Sequence, residues 1–318
     1  MAANIDMTNG KANMAYAGTK TPWHGLGSRI DESEKYNVAA CSTVAGLDFE
    51  VGLKALQTVD GIPIRERAVY RLDNNAILNV VGPHWTPLQN NKIFSWFQPW
   101  LDSKMCAIET CGSLGHGEKV WCLAKTSIDP VDIVKGSDPV ESYILLSNVH
   151  GIGAVRAGFT PIRVVCQNTL SMAHDSASSK LVRVRHSSKV ESNLSTIHEV
   201  MDLARQEFLA TAEQYRMLAN KGVNGKDLIA YVKVVMGMTE EKDSPQSRTK
   251  LADIINLAVN GIGQDNARGT WWGAYNGITE YLSYRQGRTQ SNRLDSLWFG
   301  AGANINQRAF TEAIRMAS

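Results

Sequence analysis

The chain has 318 residues, of which 43% are hydrophobic and 20% are charged, a composition ordinary for a globular protein of one or two domains. No run of about 18 uninterrupted apolar residues occurs, which argues against a membrane span, and the odd number of cysteines, five, argues against a secreted disulfide framework. The net charge of +2 does not identify a polyanionic partner, so the distribution of charge along the chain has to be considered.

The N-terminal residues 1–20 are polar and rich in asparagine. They lack the basic start and the apolar core of a signal peptide. We interpret them as a flexible leader and expect the protein to lie in the cytoplasm, where cysteines stay reduced.

Residues 21–190 predict an α+β domain, because short alternating or apolar runs predict strands. The turn signal Asn74-Asn75 predicts a hairpin, and the glycine-rich stretch 112–117 predicts a second one. Residues 89–100 predict a helix between the two hairpins. The predicted strands are residues 43–58, 67–72, 76–81, 106–111, 119–125, 143–149 and 162–166.

Residues 191–318 predict a helical region, because apolar residues recur there at spacings of three and four. Thr270 is the expected N-cap of the last predicted helix. The polar stretch 240–249, which contains Pro245, predicts a surface loop. The predicted helices are residues 194–221, 227–236, 250–259 and 270–282. The expected fold is therefore α+β, with an N-terminal antiparallel sheet and helix followed by a C-terminal helical region.

A thiol nucleophile needs a base, and Cys166 with His174 is the candidate pair of nucleophile and base. Cys166 belongs to an apolar run, so a buried strand cysteine is the favoured interpretation. We predict no catalytic residue and no enzymatic activity.

Metal and nucleotide motifs are also incomplete. Cys106, Cys111 and Cys122, with His116 between them, contain no Cys-x-x-Cys pair, so no metal ion is expected. The glycine-rich residues 112–119 end in a lysine followed by valine, and a predicted strand rather than a helix follows them. We expect turns there and no cofactor.

Positive charge is concentrated in residues 156–189. This segment contains six basic residues and one acidic residue, Asp175, for a local net charge of +5. Arg183 and Arg185 alternate with valines, so in a strand both guanidinium groups lie on one side. Such a row can follow a phosphate backbone, and the alternative is a solvated strand face. The basic residues are Arg156, Arg163, Lys180, Arg183, Arg185 and Lys189.

A second basic cluster, residues 268–293, is interleaved with tryptophans and tyrosines. Arginines beside aromatic rings suit single-stranded nucleic acid. Trp271, Tyr275, Ile278 and Leu282 fall on one helical face and are expected in the core. The contact candidates in this cluster are Arg268, Trp272, Arg285 and Arg288.

Three segments resemble those of a known family: residues 85–90 (WTPLQN), 160–170 (TPIRVVCQNTL) and 269–281 (GTWWGAYNGITEY). Together with residues 21–27 (TPWHGLG), they resemble phage/plasmid-like proteins catalogued as a domain of unknown function. The resemblance implies a phage, prophage or plasmid protein acting in a bacterial host cell.

The predicted order of elements, two hairpins around a helix and then a basic region, is similar to single-strand annealing proteins of the Red-beta and Rad type. This analogy implies an ATP-independent protein that holds single-stranded DNA in rings or filaments. It concerns the fold, and fold alone does not fix function.

Three hypotheses follow. The first is a homo-oligomeric single-stranded DNA-binding protein that promotes strand annealing in recombination. The alternative is an interaction protein that blocks or recruits a host defence or replication factor. The third is an enzyme with an unrecognised site around one of four residues, His24, His84, Glu109 or His150.

Overall fold

The computed structural model describes residues 5–18, 26–163, 168–169, 182–189, 198–239, 244–286, 296–297 and 300–318. The fold is α+β, with an N-terminal sheet and C-terminal helices, as the sequence predicts. Within the described residues, no helix combines the length and the apolar character needed to cross a membrane.

The strands are β1 (Met7–Thr8), β2 (Lys11–Ala12), β3 (Met14–Tyr16), β4 (Ser28–Arg29), β5 (Val51–Gln57), β6 (Pro63–Arg71), β7 (Ile77–Val81), β8 (Cys106–Leu114), β9 (Lys119–Thr126), β10 (Val131–Val134), β11 (Ser137–Val149), β12 (Ala154–Arg163), β13 (Asn168–Thr169) and β14 (Val182–Arg185). The α-helices are α1 (Val38–Val44), α2 (Asn90–Phe94), α3 (Gln98–Asp102), α4 (His198–Asn220), α5 (Gly225–Met236), α6 (Pro245–Asn260), α7 (Trp271–Glu280) and α8 (Ala301–Ala317).

The chain divides into two compact units whose segments interleave. Two segments that precede residue 190, the predicted boundary, belong to the unit that contains the C-terminal helices. The first unit comprises Met1–Ser127, Tyr143–Gly158 and Lys180–Leu203, and the second comprises Ile128–Ser142, Phe159–Ser179 and Ala204–Ser318.

The main sheet of the first unit has the order β12-β11-β9-β8-β3-β4, and β14 also pairs with β12. Strand β11 belongs to this unit from Tyr143 onward, and β12 belongs to it as far as Gly158. The predicted hairpin β8–β9 is confirmed, with Cys111 opposite Cys122. Strand β3 pairs antiparallel with β8, and its Met14 and Ala15 are buried. Residues 5–16 are therefore part of the folded unit, which corrects the expectation of a flexible leader. These residues are ordered because their apolar side chains are buried in the sheet.

A second, three-stranded sheet of the first unit has the order β5-β6-β7, and it contains the predicted hairpin at Asn74-Asn75. The predicted strand 43–58 is wrong over its first part. Asn37 caps helix α1 there by accepting hydrogen bonds from two backbone amides, and the strand begins only at Val51. The predicted helix 89–100 is present as α2, a 3₁₀ turn (Ser95–Phe97) and α3.

The second unit is held together by an aromatic-rich core. Tyr215 packs on Trp272 and Tyr275, and Tyr231 meets Trp271 edge to face. Thr270 caps α7 as predicted, by accepting a hydrogen bond from the amide of Gly273.

Helix α6 corrects the predicted loop over residues 240–249. The helix already begins at Pro245, because Ser244 and Ser247 form a reciprocal cap and proline suits the first turn of a helix. The polar composition of residues 240–249 predicted a loop, although the segment contains the N-terminus of a helix.

Candidate functional site

Strand β14 presents two arginines on one face, as predicted. Arg183 and Arg185 are exposed, whereas Val184 between them is 3% exposed and lies opposite the buried Val155. Alternation along the strand therefore sends the valine into the core and both guanidinium groups outward. We call Arg183 and Arg185 the β14 arginine pair.

No described residue forms an ion pair or a hydrogen bond with the side chain of either member of the β14 arginine pair. Arg156 lies directly opposite Arg183 across the β12–β14 pairing, so its half-buried side chain belongs to the same face.

A cavity of about 710 Å³ lies beside the arginine pair, entirely within the first unit. This volume is within the range of roughly 300–1,000 Å³ that is usual for small-molecule sites. Its wall combines small, apolar and aromatic residues with the two guanidinium groups. The lining residues of this cavity, which we call the Trp85 cavity, are Val81, Gly82, Trp85, Gly151, Ile152, Gly153, Ala154, Arg183, Arg185 and His186.

Trp85 and His186 stack in the wall of the Trp85 cavity. Their ring centroids are 4.7 Å apart and the rings are inclined by 25°. The indole N–H of Trp85 donates to the carbonyl of Gly151 over 2.9 Å, which fixes the orientation of the half-buried ring. The indole is thus held in place without any ligand.

His186 is 7% exposed, and its Nδ1 lies 3.2 Å from the carbonyl oxygen of Thr86. Burial lowers the pKa of His186, although the backbone of Thr86 and Val149 acts in the opposite direction. The ring is therefore neutral near pH 7, and because a carbonyl only accepts, Nδ1 carries the proton.

A second histidine supports the turn between β11 and β12. His150 is fully buried and lies 2.9 Å from Asn90 Oδ1 through Nε2 and 3.3 Å from Asn148 Nδ2 through Nδ1. Burial lowers the pKa of His150 to about 3, and the positive charge of Arg71 adds to this effect. His150 is thus a neutral structural group, and its burial keeps it away from the cavity solvent.

The glycines of the cavity wall differ in the space around them. A Cβ at Gly151 would collide with Asn79 Nδ2, and one at Gly153 would lie 2.7 Å from the Cβ of Val149. A Cβ at Gly82 would meet no atom within 4 Å. Gly82 is therefore the wall position at which a side chain can be added without displacing the fold.

The other predicted contacts of the basic segment are only partly described. Lys189 is exposed and does not line the cavity. The backbone of Arg163 belongs to strand β12. Lys180 lies outside the described residues.

The second basic cluster belongs to the second unit and differs from its prediction. Arg268 and Arg285 are exposed, and Arg268 Nε donates to the carbonyl of Val259 over 2.8 Å. Trp272 is 0% exposed, so the prediction that its ring contacts nucleic acid is wrong. Trp272 belongs to helix α7, in which every residue is buried. Arg288 lies outside the described residues.

The residues considered for catalysis or metal binding do not form a described site. Cys106, Cys111 and Cys122 are buried free thiols, and burial raises their pKa values, which for Cys106 reaches about 12. Within the described ranges, no group of three or more His, Cys, Asp or Glu residues could hold a metal ion. His84 is exposed and Glu109 is half-buried. His24, Cys166 and His174 lie outside the described residues.

Sequence reasoning missed Trp85 and His186 as members of a common cavity. The available signal was local: Trp85 lies in a segment with glycine and two prolines, residues 82–87, where irregular backbone is common at binding sites. Nothing in the sequence pairs this segment with His186.

Comparison with known proteins gives one family and no further relative. No curated protein and no solved structure matches the chain significantly. The family described as "Domain of unknown function (DUF932)" matches residues 77–298, which include the Trp85 cavity and helices α4–α7. Because this match covers more than half of the chain, the protein belongs to the DUF932 family.

Proposed function

We propose that this protein binds single-stranded DNA and that the β14 arginine pair holds its phosphates. The observation that carries the proposal is the exposed position of Arg183 and Arg185 on one strand face, with no anionic partner among the described residues. Planar guanidinium groups bind phosphate through paired N–H donors. Their spacing along a strand suits a ligand with repeated negative charges.

The single-stranded form is favoured over the duplex by the adjoining Trp85 cavity. A half-buried tryptophan offers a flat apolar surface, and only an unpaired base can leave its strand to meet such a surface. Solvated arginines alone would not favour the single strand, because the phosphates of a duplex attract them as well.

The finer form of the proposal is a homo-oligomer that promotes ATP-independent annealing for a phage or plasmid in the bacterial cytoplasm. One β14 arginine pair contacts few phosphates, so several subunits along one strand would be needed to align many bases. Light scattering with and without single-stranded DNA tests assembly. Rings, arcs or filaments well above a dimer are expected, and a strict monomer or dimer contradicts annealing by assembly.

The experiment that tests DNA binding itself is a titration of labelled single-stranded and duplex oligonucleotides at several salt concentrations. Single-strand affinity should fall with salt, with a logarithmic slope of about −0.7 for each phosphate neutralised. Absence of binding at low salt, or binding that does not respond to salt, contradicts the proposal.

A second candidate function is an interaction with a host defence or replication protein. It is favoured by apolar side chains around the β5–β6 turn, where Val59 is fully exposed and Ile62 is 61% exposed. Absence of DNA binding in the titration would favour the interaction with a host protein.

A further inference from the structure

We propose that the Trp85 cavity is a subsite for a single unpaired nucleobase, whose phosphate is held by the β14 arginine pair. This inference rests on the proposed function and deepens it, because it assigns the base and the phosphate of one nucleotide to adjoining walls of one cavity.

The cavity wall presents three kinds of group, namely a fixed aromatic ring, apolar side chains and guanidinium groups. Val81, Ile152 and Ala154 supply the apolar part, and Ile152 is 82% exposed at the β11–β12 turn. A ligand complementary to all three is planar, partly apolar and anionic. A nucleotide has these properties in one molecule.

The aromatic wall of the cavity is ordered before any ligand binds. Trp85 is oriented by its hydrogen bond to Gly151 and by its stacking on His186. His186 is itself fixed through Thr86 and is kept neutral by burial. Because the ring pair is already ordered, a base that stacks there loses little binding energy to ordering the protein.

The arginines and the aromatic wall adjoin one another in the cavity. Ala154, a cavity-lining residue, lies directly opposite Arg185 in the β12–β14 pairing. Arg185 and His186 both line the cavity. The phosphate-binding cations therefore border the aromatic wall, as the attachment of a base to its own sugar-phosphate unit requires.

The test compares an intact single-stranded oligonucleotide with the same strand carrying abasic sites, which has equal length and charge. A duplex of the same length, which carries about twice the charge, is the third ligand. A free mononucleotide is the fourth ligand. A base stacked on an aromatic ring contributes about 1–3 kcal/mol, so the intact strand should bind at least about fivefold more tightly than the abasic strand. A mononucleotide that binds as tightly as the intact strand would identify the free nucleotide as the ligand of the same cavity.

Gly82→Leu is the variant designed to narrow the cavity, because Gly82 lines it and a Cβ at this position meets no atom within 4 Å. It should remove the preference for the intact strand and leave affinity for the abasic strand unchanged. Gly225→Leu is the matched control, because a Cβ at Gly225 also meets no atom within 4 Å and Gly225 begins helix α5 of the second unit. This control should keep the full preference.

Trp85→Phe and Trp85→Ala separate stacking from folding. Phenylalanine keeps an aromatic surface and should keep part of the preference, whereas alanine should abolish it. Equal binding of intact and abasic strands by the wild-type protein, or an unchanged preference in Gly82→Leu, overturns the base subsite while phosphate binding stands. Failure of all four ligands to bind overturns the proposed function and the subsite together.

Discussion

Trp272 donates its indole N–H to Asp138 Oδ2 over 2.6 Å, and both residues are buried within the second unit. The hydrogen bond satisfies an indole N–H and a carboxylate that would both be costly to bury alone. Trp272 is thus a structural residue, and its ring surface is occupied by Tyr215 and Tyr275.

Replacement of Trp272 by phenylalanine should lower the free energy of unfolding by about 2–3 kcal/mol, because the Asp138 carboxylate loses a donor and part of the core volume is lost. Urea unfolding followed by circular dichroism measures this change. Trp271→Phe is the control: Trp271 is also buried, packs edge to face on Tyr231 and faces no carboxylate among its described contacts. Equal costs for the two variants would contradict the assigned role of the hydrogen bond.

The double variant Arg183→Ala/Arg185→Ala should bind single-stranded DNA more weakly and remain folded, because exposed arginines contribute little to stability. Loss of two phosphate contacts should also reduce the salt slope by about 1.4. Arg65→Ala/Arg67→Ala is the charge-matched control, since both arginines are exposed on strand β6 and do not line the Trp85 cavity. If both double variants lose the same affinity, general positive charge explains the binding and the β14 arginine pair has no special role.

Thr270 should contribute to stability as the N-cap of α7. Its Oγ1 accepts from the amide of Gly273 over 3.1 Å and also lies 2.6 Å from the carbonyl oxygen of Ala267. Thr270→Val keeps the shape and removes both bonds, so it should cost about 1–2 kcal/mol of unfolding free energy. Thr270→Ser keeps the hydroxyl and should cost much less. Similar losses in the two variants would show that the threonine methyl group, and not the cap, stabilises the helix.

Stability should fall below neutral pH because of His150. Its pKa is about 3 in the folded protein and about 6.5 when unfolded, so the unfolded chain takes up the proton first. The contribution is complete above pH 6.5 and is lost progressively as the pH falls toward 3. Between pH 7 and pH 5, this one group should remove about 2 kcal/mol.

His150→Gln should flatten this pH dependence, because glutamine does not titrate, although the variant starts from a lower stability. His84→Gln is the control, since His84 is exposed. Urea unfolding at pH 7 and pH 5 measures all three proteins. Parallel losses of stability in wild type and His150→Gln would assign the acid sensitivity to other groups.

Local sequence patterns were enough where one element decides the outcome by itself. The alternation of arginine and valine in β14 correctly gave the side on which each residue lies, because successive strand residues point to opposite faces. The Asn74-Asn75 turn and the Thr270 cap were likewise read correctly, since their hydrogen bonds and backbone angles involve only near neighbours.

The sequence by itself determined the α+β class, the two hairpins β6–β7 and β8–β9, the helices α4, α5 and α7, and the outward face of the β14 arginine pair. Only the tertiary structure decided that Trp272 is buried, because all ten residues of α7 are covered and a one-sided helical stripe is no guide there. Only the tertiary structure brought Trp85 beside His186. The ring of His186 contacts the carbonyl oxygen of Thr86, which is 100 residues away in the chain. Sequence periodicity records which face of an element is apolar, whereas the partner of that face is selected by packing between distant segments.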